Sequence, residues 1–219
     1  MKRILEEVKH LLMFNEKSFQ AFEEQTLEGR MKAIRSEIQP VFQELDDSFK
    51  DELEKELDTE LFVHIAQHRR RTVHPPANTW SALSQQKRGY KMEPHFQLGI
   101  WPDYVFMWLS IIDQPPGKEE MGRILADHRF LFEKLPADFV INQDHTVKDY
   151  QQLTSETLEK VLKRLIAVKK SELQVGRIIK SDSEKWQDPQ SARAYMMDTY
   201  RQLLPIYQLL MSQMRTTNL

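Results

Sequence analysis

Residues 61–112 constrain this chain more than any other stretch. They hold its densest run of β-forming residues, its longest acid-free window and most of its histidines. β-branched and aromatic side chains fit a pleated, half-buried surface, so this stretch predicts the sheet on which the rest must fold. Residues 61–66 read as a short strand and residues 79–83 as a second. Between them, Pro75-Pro76 holds a basic loop extended. Residues 85–89 turn the chain, with Gly89 free to take a positive φ. From residue 95 to 101, Phe96, Leu98 and Ile100 alternate with His95, Gln97, Gly99 and Trp101, the pattern of a half-buried strand. Trp101-Pro102-Asp103-Tyr104 is a tight turn with proline second, and residues 104–112, apolar on both faces, read as a central strand.

On either side the apolar spacing lengthens to that of a helix. Ile4, Leu5, Val8, Leu11 and Leu12 predict a short helix over residues 3–13. Leu27, Met31, Ile34 and Ile38 predict a second, which should stop or bend at Gln39-Pro40, where proline lacks an amide hydrogen and crowds the preceding turn. Pro40 can open the next helix, along Phe42, Leu45, Phe49 and Leu53. After Pro115-Pro116-Gly117 a helix is expected to about residue 135, with Met121, Leu125, His128, Leu131 and Phe132 inward. A short strand over 138–141 follows, then a helix capped by Thr154 or Ser155 and faced with Leu158, Val161, Leu162, Leu165 and Ile166. Residues 173–179 predict a strand weakened by Gly176. Asp188-Pro189 starts a last helix, which Pro205 should kink. The sum is one α+β domain over residues 1–219. It has a mainly antiparallel sheet of about six strands covered by helices, a long C-terminal helix, and an N-terminal helical extension over residues 1–13.

Composition closes several routes. With no cysteine there is no disulfide, thiolate metal site or cysteine nucleophile. No apolar run approaches the ~20 residues that span a bilayer, so no membrane partner is expected. The basic start Met1-Lys2-Arg3 is interrupted by Glu6, Glu7 and Lys9, unlike a secretory signal, and the cytoplasm is the expected compartment. A net charge of −2 selects no partner in bulk, so any electrostatic preference must be local. Nucleophile-elbow, phosphate-loop and dinucleotide fingerprints are all absent, and no cofactor is expected.

One local preference stands out. Residues 44–60 carry nine acids and two lysines, a balance of −7, and read as a solvated helix face or as an acidic lid. Residues 61–92 carry Arg69, Arg70, Arg71, Lys87, Arg88 and Lys91 with no acid, a balance of +6. Arginine offers paired donors that match phosphate oxygens, and Asn78, Trp80 and Tyr90 lie among these charges. Cations interleaved with rings suit single-stranded nucleic acid: charge for the backbone, rings for the bases. The leading expectation is a binding module for a phosphate-bearing small molecule or single-stranded nucleic acid. Arg70, Arg71, Lys87 and Arg88 would supply charge, His95 and Gln97 would orient the ligand by hydrogen bonds, and His64 would belong to the same site. Against it stands a plainer reading, in which Trp80 and Tyr90 are core and the arginines pair with the acids upstream. A second expectation is a small hydrolase-like enzyme using His64, His95 and Tyr90, recognised by a carboxylate within hydrogen-bond reach of a histidine. A third is an interaction protein without catalysis. No metal site is expected: His64 and His68 on a strand lie ~13 Å apart, too far to share an ion, although His64 and His95 on neighbouring strands could approach. Sequence does not fix the oligomeric state.

Several blocks together resemble the YktB-like family of uncharacterised bacterial proteins. They are Leu61-Phe62-Val63-His64-Ile65-Ala66, Arg70-Arg71-Thr72-Val73, Pro75-Pro76, Thr79-Trp80, Lys87-Arg88-Gly89-Tyr90-Lys91 and Pro94-His95-Phe96-Gln97-Leu98-Gly99, continued by Asp144-His145-Thr146 and Val175-Gly176-Arg177. The resemblance runs from about Phe14 onward. It implies a cytoplasmic α+β domain and carries over no activity and no catalytic residues. It also implies that residues 1–12 precede the usual family start, which makes Met13 an alternative initiator, and that relatives often place asparagine at His74, against a metal role there.

Overall fold

The alternation over residues 95–112 builds the centre of one antiparallel sheet. The computed structural model describes residues 11–217. Most of the helix expected over 3–13 lies outside them, and residues 11–13 are not helical. The strands are β1 (Phe62–Ile65), β2 (Thr79–Ser84), β3 (His95–Ile100), β4 (Tyr104–Ile111), β5 (Val140–Asn142), β6 (Gln151–Gln152) and β7 (Leu173–Lys180). They pair in the order β1-β2-β3-β4-β7-β5-β6, every pair antiparallel. The sheet thus has seven strands where about six were expected. The addition is β6, two exposed glutamines that pair with the edge of β5.

One face of the sheet carries the main core. Phe96, Leu98, Ile100, Val105, Met107, Leu109, Val175 and Ile179 pack there beneath the helices α3 (Gln39–Leu57), α4 (Lys118–Asp127), α6 (Ser155–Ala167) and α7 (Pro189–Thr217). The other face carries a second cluster of Trp101, Tyr104, Phe106, Trp108 and Val140, with Trp80 and Ile178 against it. β3 is therefore buried on both faces, not half-buried as its alternation predicts: His95 is fully buried and Gln97 is 2% exposed. Polar side chains at alternate positions here mark a polar interior, not solvent. Among the described residues no helix is long and apolar enough to cross a membrane.

Several local expectations resolve physically. The short helices α1 (Glu16–Gln20) and α2 (Leu27–Ala33) lead into α3 through one wide π-turn over Ile34–Ile38. That turn absorbs the amide hydrogen Pro40 lacks, so the helix widens where a stop or bend was expected. Thr154 caps α6 in a reciprocal box with Thr157, as its sequence predicts. The helix expected from residue 118 to 135 breaks at His128, whose ring Nδ1 takes the Ile124 carbonyl at 2.8 Å, and resumes as α5 (Phe130–Glu133). α7 runs on past Pro205 as one element.

The acids of residues 44–60 mostly face solvent, as the solvated-face reading expects, with Asp47, Asp51, Glu56, Asp58 and Glu60 exposed. Glu52 pairs with Arg193 and Arg201, and Glu56 with Arg201 at 2.7 Å, so the run clasps α3 to α7. Lys118 makes a second clasp. Its buried ammonium donates to the carbonyls of Leu165 (3.1 Å) and Val168 (2.6 Å) and to Ser171 Oγ (2.8 Å), closing the C-terminal end of α6. Lys118→Met is expected to bare these acceptors and lower stability by about 2–3 kcal/mol. Urea unfolding checks this, and an unchanged midpoint refutes it.

Candidate functional site

The face opposite the main core carries a line of polar side chains set by strand register. His95 on β3 faces Ser110 on β4, Ser110 faces Gln174 on β7, and Gln174 faces Asn142 on β5. The first three join through Gln97. His95 Nδ1 lies 2.8 Å from the Glu93 carbonyl, which can only accept, so Nδ1 carries the proton and Nε2 accepts from Gln97 Nε2 at 3.2 Å. Gln97 Oε1 then accepts from Ser110 Oγ at 3.0 Å and from Gln174 Nε2 at 2.9 Å. Each donor in the chain fixes the next. Burial pushes the His95 imidazole down to about 4, so it is neutral at physiological pH, with both nitrogens engaged. Those bonds leave His95 no free nitrogen for acid–base work or for a metal.

Aromatic rings stand over this floor. Trp80 Nε1 donates to Tyr90 Oη at 2.9 Å, and the Tyr90 ring lies 5.1 Å from His64 and 4.9 Å from His95. Gly89 (φ +77°) makes the turn that delivers Tyr90. His64 Nε2 donates to the Gln86 carbonyl at 2.8 Å, and burial lowers its basicity. Five of the expected residues, His64, Trp80, Tyr90, His95 and Gln97, thus come together, and among the described residues no carboxylate reaches the ring nitrogens of His64 or His95. Of these five, only Trp80 and Gln97 line a narrow pocket, together with Asn78, Trp101, Phe106, Trp108, Asn142, His145, Val147 and Gln174. No lining residue carries an acid, a lysine or an arginine. Its free volume is about 10 Å³, room for roughly one water molecule. Asn78 is 7% exposed, yet its side chain meets no hydrogen-bond partner among the described residues.

The loop between β5 and β6 closes the pocket. Asn142 Nδ2 donates to the carbonyls of Val147 (3.0 Å) and Asp149 (2.8 Å), folding the loop back on itself. His145 Nδ1 lies 2.7 Å from Glu172 Oε2, which also accepts from the His145 amide, while Oε1 accepts from the Asp113 amide at 3.0 Å. Burial pushes the Glu172 carboxyl up, but these bonds outweigh it and hold it below the usual range. Ligating atoms of Asp144, His145 and Glu172 fall within 4.8 Å of one another, with Asp144 Oδ1 accepting from the amide and hydroxyl of Thr146. The His145 ring stands edge-on to Trp80 at 6.2 Å, and Lys91 Nζ sits 5.7 Å from the Trp80 ring centre.

The basic residues do not converge. Arg70 and Arg71 lie in the loop before β2, Lys87 and Arg88 in the loop after it, and all four are exposed. A six-residue strand separates the two loops by about 17 Å. Arg71 follows a turn closed by its amide on the His68 carbonyl (3.0 Å), and the His68 ring packs on Trp80 at 5.6 Å. Arg71 thus lies beside His68, which neighbours Trp80. Lys87 instead reaches over Phe62 at 6.0 Å. The expected basic groove is thus a neutral pocket with separate charges outside it.

A family model described as a domain of unknown function (DUF1054) matches residues 14–207. The chain belongs to this family. A UPF0637 protein of Enterococcus faecalis is 58% identical over 203 residues, covering 93% of this chain and all of that protein. The UPF0637 protein YsbB of Lactococcus lactis is 48% identical over 201 residues, covering 91% and 99%. One from Exiguobacterium sibiricum is 42% identical over 194 residues, covering 89% and 96%. The expected membership of a bacterial family without assigned activity therefore holds across nearly the whole DUF1054 chain.

Sequence reasoning missed Ser110, Asn142, Gln174, His145 and Glu172. Only His145 carried a signal, as part of the Asp144-His145-Thr146 block. Ser110, Asn142 and Gln174 sit on strands whose neighbours in space are far away in sequence, and Glu172 lies just before β7.

Proposed function

We propose that this protein is a binding module for a ligand carrying a flat, uncharged, hydrogen-bonding ring, a nucleobase being the class that fits best. One observation carries the reading: carboxamides from Asn78, Gln97, Asn142 and Gln174 and indoles from Trp80, Trp101 and Trp108 line one pocket with no charged side chain. Rings stack on indoles, and carboxamides bond base edges. An isolated charge inside such a lining would go uncompensated, so a phosphate belongs outside, on the Trp80 side of the rim where Lys91 and Arg71 stand. A phosphate-bearing small molecule with its ring inside fits this division. A nucleic-acid strand offers the same ring and phosphate, one base at a time. The pocket's small free volume requires the loop after Asn142 to lift for entry.

Calorimetric titration with nucleosides and their 5′-monophosphates, at low and high salt, tests this. Trp80→Ala is expected to weaken both by about 10-fold, the order of one lost stacking contact. Arg71→Ala and added salt are expected to weaken the monophosphates alone. If no compound of either set binds, the proposal falls.

A further inference from the structure

We infer that the same pocket hydrolyses phosphate esters, with His145 as its acid–base residue and Glu172 as the residue that positions it. This rests on the ring-binding reading and adds a reaction to it. Glu172 is 9% exposed and fixed by two backbone amides, Asp113 N on Oε1 and His145 N on Oε2. A carboxylate so placed only accepts, so the proton between it and His145 sits on Nδ1. The lone pair of His145 is then on Nε2, which has no partner among the described residues, and the ring lines the pocket against Trp80. A histidine held in one tautomer by a carboxylate is the arrangement that acid–base catalysis requires.

A cation stands on the same indole. Lys91 Nζ lies 5.7 Å from the Trp80 ring centre, and it pairs with Asp113 at 3.3 Å. The backbone amide of that same Asp113 holds Glu172, so Lys91, Asp113, Glu172 and His145 form one chain around Trp80. A phosphate ester whose ring enters as the loop lifts would leave its phosphoryl group at the rim, between the ammonium and the imidazole once the loop has closed and His145 again meets Glu172. His145 Nε2 takes a proton from water as the water oxygen bonds to phosphorus. The phosphorus–oxygen bond to the ring-bearing fragment breaks, and the imidazolium returns its proton to the departing oxygen. The products are an alcohol and a phosphate carrying the water oxygen, and no electrons are exchanged with a second reagent.

The assay follows phosphate release from nucleoside 5′-monophosphates and p-nitrophenol release from bis-p-nitrophenyl phosphate. Nucleoside binding is measured in parallel on the same preparations. His145→Gln is expected to lower kcat by about 100-fold or more, the lower range for one acid–base group. Glu172→Gln is expected to lower kcat with KM unchanged, which loosened packing alone would not produce. Lys91→Met is expected to raise KM for the esters and leave nucleoside binding intact. Nucleoside binding without turnover of any ester overturns this inference and spares the binding module. Turnover undiminished in His145→Gln overturns it as well, and absence of binding removes both readings.

Discussion

Gly176→Ala is expected to remove about 4 kcal/mol or more of stability, enough to prevent folding in many domains of this size. A Cβ at this position would lie 1.8 Å from the carbonyl oxygen of Met107 and 2.9 Å from its carbon. Both are backbone atoms of β4, so no side chain can turn aside, and the central β4–β7 pairing must part. The sequence expectation that Gly176 weakens its strand is thereby reversed: the close approach of these two strands depends on it. Gly99 provides the comparison. There the added carbon meets the Phe106 ring at 2.0 Å, and a ring can rotate where a carbonyl cannot, so Gly99→Ala is expected to cost less. Urea unfolding of both variants decides the matter. A Gly176→Ala protein within about 1 kcal/mol of the parent would show that the strands separate without penalty.

The contrast between those glycines follows the limits of legibility in this chain. Strands β1 to β4 were readable because consecutive strands pair as hairpins, so alternation and turn residues specify both the elements and their neighbours. β7 was readable as a strand, but not as the neighbour of β4 and β5. That order arises from packing, and it brings Gln174 against Gln97 from 77 residues away. β6 had no periodicity to read, being two exposed glutamines on an edge. The candidate site divides in the same way. His64, Trp80, Tyr90, His95 and Gln97 lie within one hairpin-connected block, and their meeting was foreseeable. Convergence of Arg70 and Arg71 with Lys87 and Arg88 was not, because charge counts over a window ignore that a strand carries its two ends apart. His145 and Glu172 needed a loop to fold back over the sheet, and nothing local announces that.

Asp46→Asn is expected to stabilise the protein, and increasingly so as pH rises. Among the acids of residues 44–60, Asp46 turns inward from α3: it is 1% exposed, and Oδ2 has no hydrogen-bond partner. It lies against Ser81 on the helix-covered side of β2. Burial pushes its carboxyl up to about 8, partly opposed by the Ser81 hydrogen bond. The unfolded chain releases this proton near 3.8, whereas the native protein keeps it until about 8. Below the lower value both states are protonated and the group is neutral in the balance. Between the two values the native state binds the extra proton, so stability falls with rising pH, by about 1.4 kcal/mol per pH unit, and levels off above the upper value. At pH 7 the loss is about 4 kcal/mol on this scale. Asparagine keeps the shape and carries no such titration, so its advantage over the parent should vanish near pH 4 and widen toward pH 8. Urea unfolding across that range checks it, and parallel stability curves for the two proteins would place the carboxyl in a wetter site than its burial indicates. The same proton guards the pocket floor from behind. Tyr200 donates to the Gln97 carbonyl at 3.0 Å, and a charged Asp46 would bring an unpaired anion to the tyrosine that braces this strand. The acid run on α3 therefore contains a residue that must stay neutral for β2 and β3 to hold the register on which Trp80 and Gln97 depend.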